Sequence, residues 1–249
     1  MSGHSKWAQI KRQKGANDAQ RGQLFTKLAK EIIIAAKAGG PDPAANLRLR
    51  MAVQKAKDNN MPNDNIQRAI ARGSGGGDGA EVQEVTYEGY GPAGTAVLIE
   101  AATDNRNRTV AEIRSVFARS GGSLGEAGSV AWNFESRGII AVSPDGRDPD
   151  EIALAAIDAG ADDVQAGTGT IDVYTEPADL EAVRKALEDG GIHVTTADQT
   201  RVPKTTVQLD EGPAIQTLKL VEKLESLDDV QKVYFNAEFS DDVLAAYAG

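Results

Sequence analysis

Cations and one aromatic crowd the start of this 249-residue chain: His4, Lys6, Trp7, Lys11, Arg12 and Lys14 all fall within its first fourteen positions. Clustered ammonium and guanidinium groups bind phosphate by releasing counterions, and an aromatic ring can stack on an exposed base. Further cations follow at helical spacing: Lys27 and Lys30, then Arg48 and Lys55 seven apart. Later, Asp104-Asn105-Arg106-Asn107-Arg108-Thr109 sets Arg106 and Arg108 between a strand pattern and a helix pattern. Those arginines can grip phosphate or a carboxylate, and Asp104, Asn105 or Asn107 can cap the helix. Plainer readings stand beside each of these. Trp7 serves equally as a packing anchor, the ridges as a solvated surface, and the arginines as ordinary surface ion pairs.

Other chemistry finds little support. There is no cysteine, so no disulfide framework, thiolate nucleophile, zinc–cysteine site or iron–sulfur cluster. Only His4 and His193 are present, too few for a multi-histidine metal site. His193 alternates with Ile192 and Val194 and reads as an exposed strand residue; no Ser-His-Asp motif accompanies it. The acids of the later chain lie mainly on helix surfaces and first turns. No enzyme, cofactor or metal is expected.

The elements that must position the cations can be read in outline. A first helix runs from Asn17 or Asp18 to about Ala38, with Leu24, Phe25, Leu28, Ile32, Ala35 and Ala36 inward and Lys27, Lys30 and Lys37 opposite. Ile34 falls off the inward face and is expected to touch another element. Asp42-Pro43 is the expected cap and first turn of a second helix, to about Lys57. Its apolar stripes, Leu47/Met51 and Leu49/Val53/Ala56, predict packing on two sides. Met61-Pro62-Asn63 opens a third helix with Ile66, Ala69 and Ile70 inward, stopped by Gly73. The run Gly73–Gly79 reads as a flexible linker; it lacks the GK[ST] and preceding strand of a phosphate-binding loop.

Beyond it, strands and helices alternate. Strands are expected at Val82–Glu88 and Thr95–Ala102, and a helix from about Arg108 with Val110, Ile113 and Phe117 buried. Ser129–Glu135 reads as a strand with Val130, Trp132 and Phe134 facing one way. Residues 138–202 follow the order βαββαβ, the ferredoxin-like arrangement. Thr205–Leu209, a helix from about Pro213 to Ser226 and a strand Lys232–Asn236 complete the chain. The expected fold is α+β: a basic helical domain at 1–76, a discontinuous α/β domain at 77–136 and 205–249, and a ferredoxin-like domain inserted at 137–204. Neither flanking piece is large enough to bury a core alone, which is why they are paired. The RNA-binding aromatic motif of some ferredoxin-like modules is absent.

Whole-chain charge is −10, which argues against a nucleic-acid partner until it is divided. Residues 1–75 hold fourteen Lys+Arg against five Asp+Glu, and the remaining 174 hold thirteen against thirty-two. The chain is a +9 head on a −19 body. With no signal peptide and no apolar run near membrane-spanning length, a cytoplasmic protein without a membrane partner is expected.

Several motifs together resemble the YebC/PmpR family. They are Gly3-His4-Ser5-Lys6-Trp7 with Ile10-Lys11, Arg21…Phe25, Asn46…Leu49 and Met61-Pro62-Asn63-Asp64-Asn65-Ile66. Tyr87-Glu88-Gly89-Tyr90-Gly91-Pro92-Ala93-Gly94, Thr103–Thr109 and Gly128-Ser129-Val130-Ala131-Trp132 extend the likeness along the chain. The resemblance implies a helical N-terminal domain and two α/β domains, one inserted in the other. It further implies a DNA-binding transcriptional regulator, or a translation factor acting at ribosomal RNA and the ribosome, as for the related mitochondrial translational activator of a cytochrome oxidase subunit. It implies no enzymatic reaction.

Overall fold

Three helical stripes account for the head. The computed structural model describes residues 18–76, 80–167 and 169–248. Helices α1 (Asp18–Gly39), α2 (Leu47–Asp58) and α3 (Asn63–Gly73) close on a shared core. It comprises Leu28, Ile32, Leu49, Ala52, Ala56, Ile66 and Ala69, with Val82 and Ala102 from outside the bundle. Those last two residues explain Ile34: the middle of α1 is buried on every side, because its far face packs on the body. Gly73 lets α3 approach α1, since a Cβ there would collide with the Ile33 carbonyl.

The α2 start differs from expectation. Asp42 only closes a local turn, accepting from the Ala44 N–H at 2.9 Å. The cap is Asn46, whose Oδ1 accepts from Leu49 N at 3.1 Å. Its amide nitrogen also donates to the carbonyls of Ala35 at 2.7 Å and Gly40 at 2.9 Å. Asn46 wins because it satisfies orphaned groups at the end of one helix and the start of the next. As expected, α2 packs on two sides: Leu49, Val53 and Ala56 enter the bundle, while Met51 touches the core of the inserted domain.

The body follows as β1 (Gln83–Tyr90), β2 (Ala96–Thr103), α4 (Arg106–Arg119) and β3 (Ser123–Leu124). The insert comprises β4 (Phe134–Ser143), α5 (Pro149–Asp158), β5 (Asp163–Ala166), β6 (Ile171–Thr175), α6 (Leu180–Asp189) and β7 (His193–Pro203). The chain then returns through β8 (Val207–Gln208), α7 (Glu211–Glu225), β9 (Val230–Phe235), β10 (Ala237–Glu238) and α8 (Asp241–Ala248). The insert sheet runs β5-β6-β4-β7 and is antiparallel throughout, the ferredoxin-like order. The host sheet runs β3-β1-β2-β9, so β2 at its centre pairs with a strand from the far end of the chain. Ile99, Ile113, Phe117, Leu218, Val221 and Phe235 fill the host core. The fold is the expected α+β class, with a helical head and two α/β domains, one interrupting the other.

Residues 129–133 are not a strand. Ala131–Asn133 is a 3₁₀ turn, and β4 begins only at Phe134. The reason is Glu88, buried in β1, whose carboxylate accepts from the N–H groups of Gly128 (2.7 Å), Val130 (2.7 Å) and Ala131 (2.8 Å). Donors that an edge strand would give to a ladder go instead to one side chain. The turn buries Val130 and Phe134 but throws Trp132 outward, 65% exposed. Helix α4 likewise starts two residues before Arg108, capped by Asn105.

Candidate nucleic-acid interface

Five of the residues expected to contact nucleic acid, Lys6, Trp7, Lys11, Arg12 and Lys14, lie outside the described residues. Of the others, the structure brings Lys27, Lys30, Arg48, Lys55 and Arg108 onto a seam between head and body. α1 carries Gln23, Lys27 and Lys30 at helical spacing, and this row meets the C-terminal end of α7. Gln23 donates to Ser226 O at 3.2 Å, Lys27 to Glu225 O at 2.5 Å and Lys30 to Asp228 O at 3.0 Å. The last carbonyls of a helix lack intrahelical donors and carry partial negative charge, so cations are well placed there.

Lys30 also reaches Asp229 Oδ1 at 2.5 Å. Asp229 is the node of the seam. The stretch Thr103–Thr109 wraps around it: Thr109 Oγ1 lies 2.6 Å from Oδ2, Thr103 Oγ1 3.2 Å, and Arg108 Nη2 2.8 Å. Arg108 also pairs with Asp104 at 3.1 Å, and Asn105 Oδ1 caps α4 through Arg108 N at 3.1 Å. The strand-to-helix turn therefore folds so that one carboxylate collects donors from β2, α4 and α1. Burial opposes ionisation of Asp229, but hydrogen bonds from Lys30, Thr109 and Arg108 overcome it and hold the carboxyl down at about 2.

A second acid joins all three domains. Asp198, on β7, pairs with Lys55 of α2 at 3.3 Å and Lys232 of β9 at 3.0 Å. Partial desolvation raises its pKa, yet the charges of Lys232 and Lys55 leave it below the usual carboxylate range. Arg48 pairs with Glu31 at 3.1 Å and with Glu84 of β1 at 2.5 Å. Burial alone would lower its pKa, but the two glutamates raise it. The magnitudes of these contacts differ. Lys30–Asp229 has side chains 13% and 2% exposed, and breaking such a pair costs about 3–5 kcal/mol. Lys55–Asp198, about half exposed on both sides, belongs to a class worth about 1 kcal/mol or less.

Of the expected contact residues among those described, Arg106 alone stands clear of the seam pairs. It is exposed and lines a groove of about 400 Å³ with Glu81, Gln83, Thr103, Asp104, Asn105 and Asn107. Arg21 and Lys57 are also exposed. His193 sits on the surface 3.1 Å from Asp145. Among the described residues there is no group of three or more His, Cys, Asp or Glu placed to hold a metal, and no helix long and apolar enough to cross a membrane. Sequence reasoning missed Asp229, Asp198 and Glu88, since an isolated acid in an acidic body carries no local signal.

Fold and seam together define a three-domain protein with a basic helical head clamped onto two acidic α/β domains. Residues 5–76 match the family model described as the TACO1/YebC protein N-terminal domain, and residues 82–237 match that of the TACO1/YebC second and third domain. A probable transcriptional regulatory protein of Dehalococcoides mccartyi is 56% identical over 247 residues, 99% of this chain and 98% of that one. One of the same description from Herpetosiphon aurantiacus is 55% identical, over 100% and 99%. The crystal structure of a conserved hypothetical protein from Aquifex aeolicus superposes with a TM-score of 0.84 at 47% identity, covering 90% of this chain and 93% of that one. The chain belongs to the TACO1/YebC family.

Proposed function

We propose that this protein is a non-enzymatic, cytoplasmic regulator of gene expression that binds nucleic acid through its head, with promoter DNA as its target. The observation that carries the reading is the segregation of charge, +9 on residues 1–75 against −19 on the rest, in a family whose relatives bear the name of transcriptional regulators. Lys27, Lys30, Arg48 and Lys55 are engaged with the body, as are Lys37 with Glu81 and Arg72 with Asp104. Phosphate contact therefore falls chiefly to Lys6, Lys11, Arg12 and Lys14, a stretch holding four cations and no acid, with Trp7 among them. Arg106 and the outer faces of Arg48 and Lys55 extend the contact.

The test replaces those four cations by alanine in the full-length chain and follows binding to promoter-sized duplex DNA and to ribosomes across a salt series. Loss of four phosphate contacts should flatten the plot of log K against log salt by about 3.6 for duplex DNA. An unchanged slope and affinity would refute the charge argument. Salt-resistant ribosome association, beside DNA binding at nonspecific strength, would replace promoter DNA by ribosomal RNA as the target.

A further inference from the structure

Trp132 and Tyr90 form an aromatic surface that neither the seam nor the core uses. Tyr90 is 41% exposed and Trp132 65%. The Tyr90 hydroxyl and the Trp132 Nε1–H both donate to the same carbonyl, Ser129 O, each at 2.9 Å. The two polar handles thus converge on one atom of the same turn, while both rings stay largely open to solvent. The support beneath is rigid: the three hydrogen bonds to Glu88 fix the turn, and Val130 anchors it in the apolar layer with Leu98 and Tyr234. Gly125 packs against the same turn, where a Cβ would meet Ser129 Oγ at 2.5 Å. Next to the rings, Asn133 is held on both sides by Thr205, and its carbonyl accepts from Lys204 N at 2.7 Å. Lys204 is exposed and has no side-chain partner among the described residues.

We propose that Trp132 and Tyr90 are a stacking platform for an unpaired nucleobase, with Lys204 facing the adjoining phosphate. A ring whose N–H is already satisfied has only its π-face to offer, and every base presents a complementary one. A paired base inside a duplex keeps both faces covered by its neighbours. The platform therefore selects single-stranded or looped nucleic acid. This rests on the nucleic-acid reading above and adds to the head's phosphate contacts a second contact, made only where a base is unpaired.

The chain has only two tryptophans, which makes the test direct. In full-length Trp7→Phe protein, Trp132 is the sole indole emitter. Titration with a twelve-nucleotide oligothymidylate should quench its fluorescence saturably, and the same strand as a duplex should not. By anisotropy of the labelled oligonucleotide, Trp132→Ala should weaken binding about five- to hundredfold, the range of one stacked base, and Trp132→Phe should restore most of it. The loss should persist at salt concentrations that suppress phosphate contacts. Oligonucleotide binding at undiminished affinity in Trp132→Ala, with Trp132 emission unmoved, would overturn the platform and leave the nucleic-acid reading standing. No binding of either strand form by the unmodified protein would overturn both.

Discussion

Asp229 shows how much one residue can hold. It is buried, it meets a lysine from the head and an arginine from α4, and its carboxyl titrates at about 2. A carboxyl whose folded pKa lies below its unfolded value of about 3.9 stabilises the native state above that value, and the contribution fades as pH falls toward the folded pKa. Acid should therefore loosen the seam between about pH 4 and pH 2. In Asp229→Asn, urea unfolding at pH 7 should show a loss of about 3–5 kcal/mol, the cost of leaving the Lys30 charge without its buried partner. Its stability should also fall less steeply than the unmodified protein's below pH 4. An unaltered acid limb would mean that the group is not ionised as described. Nothing in the sequence marks this aspartate, because its partners stand 120 to 199 positions away. The seam contacts of the lysines are invisible in the sequence for a related reason. Lys27 and Lys30 have the spacing of a solvated face, and sequence periodicity does not distinguish water from a row of carbonyls as the acceptor.

At the scale of elements, what is local was legible. Ile66, Ala69 and Ile70 mark the inner face of α3, and all three are buried. Asp148-Pro149 has the sequence of a cap and a first helical residue, and it opens α5, the Asp148 side chain accepting from Asp150 N. Misreadings arose where a distant group replaced a local one. Asp42 has a cap's sequence, but Asn46 alone touches Ala35, eleven residues back. The alternation of residues 130–134 suits a strand, but Glu88, some forty positions earlier, takes the donors. The first case is measurable. Asn46→Ala removes a cap worth about 1 kcal/mol and leaves buried carbonyls unpaired, so a loss of about 2–3 kcal/mol in chemical unfolding is expected. Asp42→Ala, at an exposed turn, should cost under about 0.5 kcal/mol. Equal effects would restore Asp42 as the cap.

At the scale of the molecule, the net charge of −10 conceals an internal complementarity. The head is basic partly because the body it rests on is acidic, so charge segregation alone overstates the surface available to a polymer. The closeness of the head does not depend on exposed ion pairs. Val82 and Ala102 join its core, and the Lys30–Asp229 pair is buried. Salt screens exposed charges separated by about 10 Å at 0.1 M, whereas buried contacts are little affected. The radius of gyration from small-angle scattering should accordingly be unchanged between 0.1 and 1 M sodium chloride. Expansion at high salt would show that exposed pairs carry the docking.

The pairing of β2 with β9 also imposes an order in time. A chain emerging from the ribosome presents the head before β1 and β2, and these before the whole inserted domain, whose strands all lie within one continuous stretch. The insert can close on itself as soon as it emerges. The host sheet waits for β9, and the head waits for Asp229, both supplied only after the insert. Until then β2, buried along nearly its whole length in the finished protein, has an open edge and an uncovered apolar face.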